Sequence, residues 1–272
     1  MSPVSEPILK PAVPGADASV EFPLQDAAVY GPIHSRRLGC SLGINPLPVT
    51  YKFCDFDCVY CQYGWTPSKG TGERIKSVTA LLAEIREAFE HHRKIGTPVQ
   101  CLTIAGNGEP TIYPEFEHFV TGLCALRDSF FPGVKIGILS DSSQIYRPAI
   151  RKALLMLDER YMKLDAGTPE LVDQINKPRG NFNFRAMVAE LKTLPDIVIQ
   201  SIFIQGTHDN TAPEAIAAWI QTMAEIRPRE VQVYTLDRRP ADSGLKKVAA
   251  ARLEEIARAC EAATKIPTIV YN

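Results

Sequence analysis

Three cysteines, Cys54, Cys58 and Cys61, fall inside eight positions of the stretch KFCDFDCVYCQYGW, residues 52–65. Thiols crowded in this way form a disulfide or redox pair, close a structural zinc site, or hold an iron–sulfur cluster. A structural zinc takes four protein ligands. No second cysteine pair and no histidine pair follows at finger-like spacing, and His34 is the one histidine upstream. A redox C-x-x-C beside a βαβ unit suits Cys58 and Cys61 but leaves Cys54 without a task. A [4Fe–4S] cluster on three thiolates employs all three. It leaves one iron open to a ligand that is not protein, as reactive metal sites keep an open position.

The remaining cysteines, Cys40, Cys101, Cys124 and Cys260, are dispersed, and an odd total of 7 fits a disulfide framework poorly. Cys101 and Cys124 sit in apolar contexts and read as core residues. This usage points to a reducing cytoplasm. The 272 residues are 45% hydrophobic and 22% charged, which suits a soluble globular protein. A net charge of -1 gives no global pull toward nucleic acid or an anionic membrane. No apolar run reaches the roughly 18 residues of a membrane helix, and the N-terminus lacks a signal-peptide pattern. Residues 1–24 are Pro-rich without periodicity and read as a flexible arm, with a folded domain over 25–272.

Elements that must position the thiols follow from periodicity. GCSLGIN (39–45) reads as a first strand just before the cysteines. Residues 78–95 carry apolar positions at three- and four-residue spacing, ended by Gly96. The strand QCLTIAG follows, then a helix over 114–129, strand 134–140, helix 147–157 and strand 161–165. Helix 182–193, strand 197–204, helix 213–226, strand 230–236 and helix 245–263 complete the pattern before a short apolar tail, TIVYN. Six βα units without a dividing linker demand a parallel sheet with right-handed crossovers, open or barrel-like. Sites in such folds lie at the carboxyl ends of strands, where the cysteine loop falls.

C-x3-C-x2-C with an aromatic, Tyr60, before the last cysteine resembles the signature of the radical S-adenosylmethionine (SAM) enzymes. After the next strand comes AGNGEPT, with Gly106, Asn107, Gly108 and Glu109, which resembles that family's glycine-rich loop ending in Glu. The resemblance covers roughly residues 29–240. It implies an α/β partial (β/α)6 TIM-like barrel, a [4Fe–4S] cluster on Cys54, Cys58 and Cys61, and SAM as second cofactor. The unique iron would chelate the methionine amino and carboxylate groups, with Glu109 taking the amino proton. One electron would break the sulfonium C–S bond, giving a 5′-deoxyadenosyl radical that abstracts hydrogen from substrate. Flavodoxin or ferredoxin is the reductant the family implies.

Strand alternation adds candidates. Lys163 and Asp165 share a face in YMKLD, where charges are costly unless paired or used. Both are candidate catalytic or ligand-contacting groups, with Asp165 facing the ribose or a carboxylate. SDSS, Ser140 to Ser143, offers hydroxyls to SAM or a helix-capping turn. Gln200, Gln232 and Tyr234 break apolar runs, and Tyr234 to Leu236 could supply an adenine pocket. His208 faces substrate or solvent; His91 and His92 read as solvated.

Longer stretches, YGPIHSRRLGCSLGINPLP, CVYCQYG, KLDAG…INKPRG and QVYTLDRRPA, resemble prokaryotic Fe–S oxidoreductases related to wyosine synthase. That enzyme rebuilds a tRNA guanine and forms a Schiff base between pyruvate and a lysine, which draws attention to Lys52. Against tRNA stand the absence of three further N-terminal cysteines for a second cluster and the sparse basic pairs, Arg36-Arg37 and Arg238-Arg239. A small-molecule substrate is favoured, with tRNA modification and a non-catalytic iron–sulfur or zinc protein as alternatives.

Overall fold

A computed structural model describes residues 22–35 and 39–271. Most of the arm expected over 1–24, and the Arg36-Arg37 pair, lie outside the described residues. The strands are β1 (Val29–Ser35), β2 (Gly39–Ile44), β3 (Cys101–Ile104), β4 (Lys135–Ser140), β5 (Glu159–Lys163), β6 (Ile197–Ile202), β7 (Ile204–Gly206), β8 (Glu230–Tyr234), β9 (Leu245–Lys247) and β10 (Thr268–Tyr271). The helices are α1 (Val78–Lys94), α2 (Phe116–Phe130), α3 (Pro148–Leu155), α4 (Pro169–Ile175), α5 (Phe184–Thr193), α6 (Pro213–Ile226) and α7 (Ala250–Thr264).

Eight strands form one sheet in the order β1-β2-β3-β4-β5-β6-β8-β10, and β7 pairs with β9 in a separate ribbon. β1 is antiparallel to β2; every other neighbour in the large sheet is parallel. The barrel does not close, because β1 and β10 end the sheet without pairing to each other. The six expected βα units are present, and two edge strands extend them. The tail TIVYN is β10, held in register by β8 from Thr268↔Val231 to Tyr271↔Tyr234. Leu245–Lys247, expected within the last helix, is instead β9.

One face of the sheet carries the core. Leu42, Ile44, Leu102, Ile104, Ile136, Ile138, Ile199 and Val231 are fully buried with Leu81, Ile85, Phe89, Phe116 and Phe119 of the helices. Burying each such side chain contributes about 1.5–3 kcal/mol relative to leaving it in water. Strand alternation and register put the polar set, Ser41, Thr103, Lys163, Gln200 and Gln232, on the opposite face. Cys40 and Cys260 are buried, whereas Cys101 and Cys124, read as core, are half-buried.

Candidate active site

The cysteine loop leaves the carboxyl end of β2 and is stitched to the glycine loop after β3 and to the end of α4 (Pro169–Ile175). On one side Phe53 N–H donates to Asn107 O at 2.7 Å, and Glu109 N–H donates to Phe53 O at 3.1 Å. On the other, Asp57 N–H donates to Asn176 O (3.1 Å), Val59 N–H to Ile175 O (2.9 Å) and Arg179 N–H to Asp55 O (2.7 Å). Gly108 is required by the first seam. Its φ is +145°, and a Cβ there would stand 1.7 Å from Phe53 O. The side chain of Asn107 is fully used elsewhere, donating to Pro48 O and Gln25 O at 2.9 and 2.8 Å and accepting from Gln25 N–H at 2.7 Å. Asn107 therefore serves the loop through its backbone carbonyl, which accepts from Phe53 N–H, while its side-chain amide is used elsewhere.

All three thiols are free, and each lies close enough to Lys52 to favour its ammonium charge. Sulfurs around one tetrahedral zinc stand about 3.8 Å apart for bonds of about 2.3 Å. Cys54, Cys58 and Cys61 do not all come within 4.8 Å of one another; the group of described residues that does is Cys54 with Asp55 and Asp141. The three thiols are therefore not gathered around the position of a single ion. Cys61 N–H donates to Cys58 O at 3.0 Å, which turns the loop between those two thiols.

Each thiol has its own polar neighbour. Cys54 Sγ lies 3.8 Å from Asp141 Oδ2, and burial followed by that carboxylate pushes the thiol well up. Cys58 is held up at about 12 by burial, with hydrogen bonds from Tyr60 and Asn176 working against it. Cys61 faces Lys52, whose Nζ also donates to Gly64 O at 2.9 Å.

Beside Cys54 three carboxylates converge. Glu109 is buried and accepts from Thr111 N–H (3.0 Å), the Thr111 hydroxyl, Ser140 Oγ (2.9 Å) and Asp141 N–H (2.6 Å). Asp55 Oδ2 accepts from Ser143 Oγ and Gln144 Nε2 at 2.7 and 2.6 Å, while its buried Oδ1 has no partner. Burial, then Asp55, raises Glu109; burial, then Glu109 and Asp55, raises Asp141. Among the described residues no Lys or Arg pairs with these acids. The pocket is one that a cationic group would neutralise.

A second network lies beyond Cys58. Lys163 Nζ is 3.1 Å from Asp165 Oδ1, hydrogen-bonds the Tyr234 hydroxyl, and sits 4.7 and 4.9 Å from the Tyr60 and Tyr234 ring centroids. Burial opposes the charge on Lys163, but Asp165 and Tyr234 outweigh it and raise its pKa. The Asp165 side chain is wholly buried. It also accepts from the Tyr60 hydroxyl, Asn176 Nδ2 (2.8 Å) and Ile202 N–H (2.9 Å). Leu236 joins an apolar group of Val59, Ile175, Ile202, Ile204 and Leu245, with Tyr60 and Tyr234 packed on it. Gln200 Nε2 donates to Gln232 Oε1 at 2.8 Å, one strand beyond Lys163 in register.

The residues singled out from sequence thus gather at adjacent strand ends. His208 lies 3.7 Å from Asp242, whose backbone N–H donates to Val59 O of the cysteine loop at 2.8 Å. Sequence reasoning missed Asp55, Asp141 and Asn176. Asp141 and Asn176 stood inside quoted stretches, but their contacts with Cys54 and Cys58 span 87 and 118 positions, which no local pattern carries.

The fold and motif agree with comparisons to known proteins. A UPF0026 protein of Helicobacter pylori is 30% identical over 77% of this chain and 66% of its own length. A radical SAM methyltransferase from Sphaerobacter thermophilus superposes with a TM-score of 0.61 at 14% identity, covering 85% of this chain and 65% of that one. TYW1 with a lysine–pyruvate adduct bound gives 0.57 at 12%, covering 82% and 73%. The chain spans 34% to 66% of the length of the first curated relatives it matches. The family model described as the radical SAM superfamily matches residues 49–193, more than half of the 272. The chain belongs to that superfamily, whose members are enzymes that use a [4Fe–4S] cluster and SAM.

Proposed function

We propose that this chain is a radical SAM enzyme that abstracts hydrogen from a small-molecule substrate. The observation that carries the reading is the placement of Cys54, Cys58 and Cys61, all three near Lys52, on one loop whose backbone is pinned to the glycine loop at Asn107 and Glu109. When bound, the cluster and SAM supply one-electron cleavage of the sulfonium C–S bond and a 5′-deoxyadenosyl radical.

The chain's own residues have separable tasks. Cys54, Cys58 and Cys61 hold the cluster. The carboxylates of Glu109, Asp141 and Asp55 form the acidic wall that attracts an α-amino group, and the backbone of Gly106 to Glu109 shapes its approach. Ser140 serves by holding Glu109 rather than by touching ligand. Asp165 has four partners and no exposed surface, so it holds Lys163. Lys163, with 18% of its side chain exposed, faces the ligand with Tyr234. Tyr60, Val59, Ile202 and Leu236 offer an apolar bed for adenine, and burial there excludes water. Gln200 and Gln232 offer neutral amides to substrate. The electron comes from a low-potential one-electron donor such as flavodoxin or ferredoxin. A small molecule is favoured over tRNA because the net charge of -1 supplies no broad basic footprint.

Anaerobic incubation of iron-reconstituted protein with SAM and dithionite tests this. The expected product is 5′-deoxyadenosine and methionine above the level given by Cys58→Ala. Equal, background yields from both proteins would sink the reading. Deuterium transfer from labelled metabolite pools into 5′-deoxyadenosine then identifies the substrate.

A further inference from the structure

Asn176 is a buried side chain on the segment that follows α4, 118 positions from the cysteine it touches. Its Nδ2 lies 3.5 Å from Cys58 Sγ, 2.8 Å from Asp165 Oδ2 and 3.1 Å from the Tyr60 hydroxyl. Its backbone carbonyl accepts from Asp57 N–H at 3.1 Å, so the amide is anchored to the loop it addresses. The other two thiols have different neighbours: Cys54 takes the backbone N–H of Phe56 and faces the Asp141 carboxylate, and Cys61 meets the Lys52 ammonium, whereas Cys58 takes a side-chain amide. Cys58 is also the most buried of the three, with water least able to replace a lost donor.

Resting on the reading above, we infer that Asn176 is a positioning residue whose amide N–H to Cys58 sulfur sets the reduction potential of the bound cluster. A donor aimed at a coordinating sulfur favours the state with more negative charge on the cluster. Reduction by dithionite adds one electron, taking [4Fe–4S]2+ to [4Fe–4S]1+ without making or breaking a bond to the chain. The reduced state gains more from the N–H dipole than the oxidised state does. Removing the dipole therefore makes reduction harder. The same amide holds Asp165 and, through it, Lys163, so the residue joins the metal side of the site to the ligand side.

The measurement is an EPR-monitored redox titration of the reconstituted protein and its Asn176→Leu variant. The expected result is a midpoint more negative by a roughly tenfold change in the oxidised-to-reduced ratio at fixed potential, about 59 mV for a one-electron couple. Asn176→Ala, which loses the N–H at the thiol without adding a charge beside Asp165, should move the midpoint the same way. It decides the matter if the Leu variant does not retain iron. Asn210→Ser is the control, since Asn210 donates to Asp165 O and Ile202 O at 2.9 and 2.8 Å and touches no thiol. An unmoved midpoint in a fully loaded Asn176 variant overturns the inference alone. So does an equal shift in Asn210→Ser, which would make the effect one of loop relaxation, or failure of both Asn176 variants to hold iron. No cluster signal in the unsubstituted protein overturns the underlying reading as well.

Discussion

At Glu109 the carboxylate is not an idle group waiting for a ligand. Four donors from Thr111, Ser140 and Asp141 hold it in place. Truncation to Ala would leave Ser140 Oγ and Asp141 N–H unpaired in the interior, at about 1–3 kcal/mol for each buried group. Glu109→Gln removes the charge and keeps the shape and the three donors on Oε1, giving up only the Asp141 N–H on Oε2, so it perturbs folding less than Ala. SAM affinity of the cluster-loaded protein should fall by about 1.5–3 kcal/mol, the range for a hydrogen bond to a charged group, hence roughly ten- to a hundredfold. Calorimetry reads the affinity and iron analysis should show the cluster intact. For the thiols the outcome is different in kind. Replacing Cys54, Cys58 or Cys61 with Ala should abolish the iron–sulfur absorption band of the reconstituted protein, whereas Cys124→Ala should leave it unchanged. These cysteines and Glu109 were legible in sequence because each lies in a short motif. Asp141 and Asn176 were not, because their partners are brought to them by strand order.

Two short segments decide whether the cysteine loop keeps its shape. The glycine loop after β3 meets it at Gly108, where the backbone φ of +145° excludes a side chain and Phe53 O fills the space. Gly108→Ala should cost on the order of 1–3 kcal/mol in backbone strain alone and force Phe53, next to Cys54, to move. Helical content by circular dichroism should persist while iron incorporation drops severalfold; full incorporation would show that the seam is dispensable. The loop's entrance is held by Glu73, which accepts from Val49 N–H at 3.1 Å, Thr50 N–H at 2.9 Å and Thr50 Oγ1 at 2.6 Å. Burial works to raise its pKa, but these bonds and the Lys76 charge outweigh it and lower the pKa below the ordinary 4.5. A lowered carboxylate contributes stability in full above its unfolded pKa and loses it as pH falls through the folded value. Acid unfolding monitored by fluorescence should thus begin at higher pH, and with a shallower limb, in Glu73→Gln than in the parent. Periodicity read most helices and six parallel strands correctly. It passed over β9 and β10, whose three and four residues are too short to show a period and whose pairing partners lie far away in sequence.

For the whole molecule, the open sheet places the carboxyl ends of its seven parallel strands on one side and leaves the cysteine loop as the shared boundary of β3, α4 and the polar ends of β5 and β8. A fold-level reading from sequence could reach this arrangement because βα alternation fixes handedness and direction. The antiparallel β1 escaped it, since YGPIHS carries both Gly31 and Pro32 and lacks strand alternation. If the site is assembled from these separate elements, a ligand bridging them must stabilise the chain as a unit. SAM at a hundredfold excess over its dissociation constant should add about 2.7 kcal/mol to a state that alone binds it. For a chain of this size that is an upward shift of roughly 5–10 °C in the unfolding midpoint, at about 2–4 °C per kcal/mol. The shift should require the loaded cluster, because the open iron and the acidic wall of Asp55, Glu109 and Asp141 would act together on the methionine amino end of the ligand. Anaerobic thermal scans at fixed rate, with and without SAM, on reconstituted protein, iron-free protein and Glu109→Gln decide it. Equal shifts in all three would place SAM on a surface unrelated to the cysteines. A large shift confined to the reconstituted parent, reduced in the Glu109 variant, ties the ligand to both halves of the site.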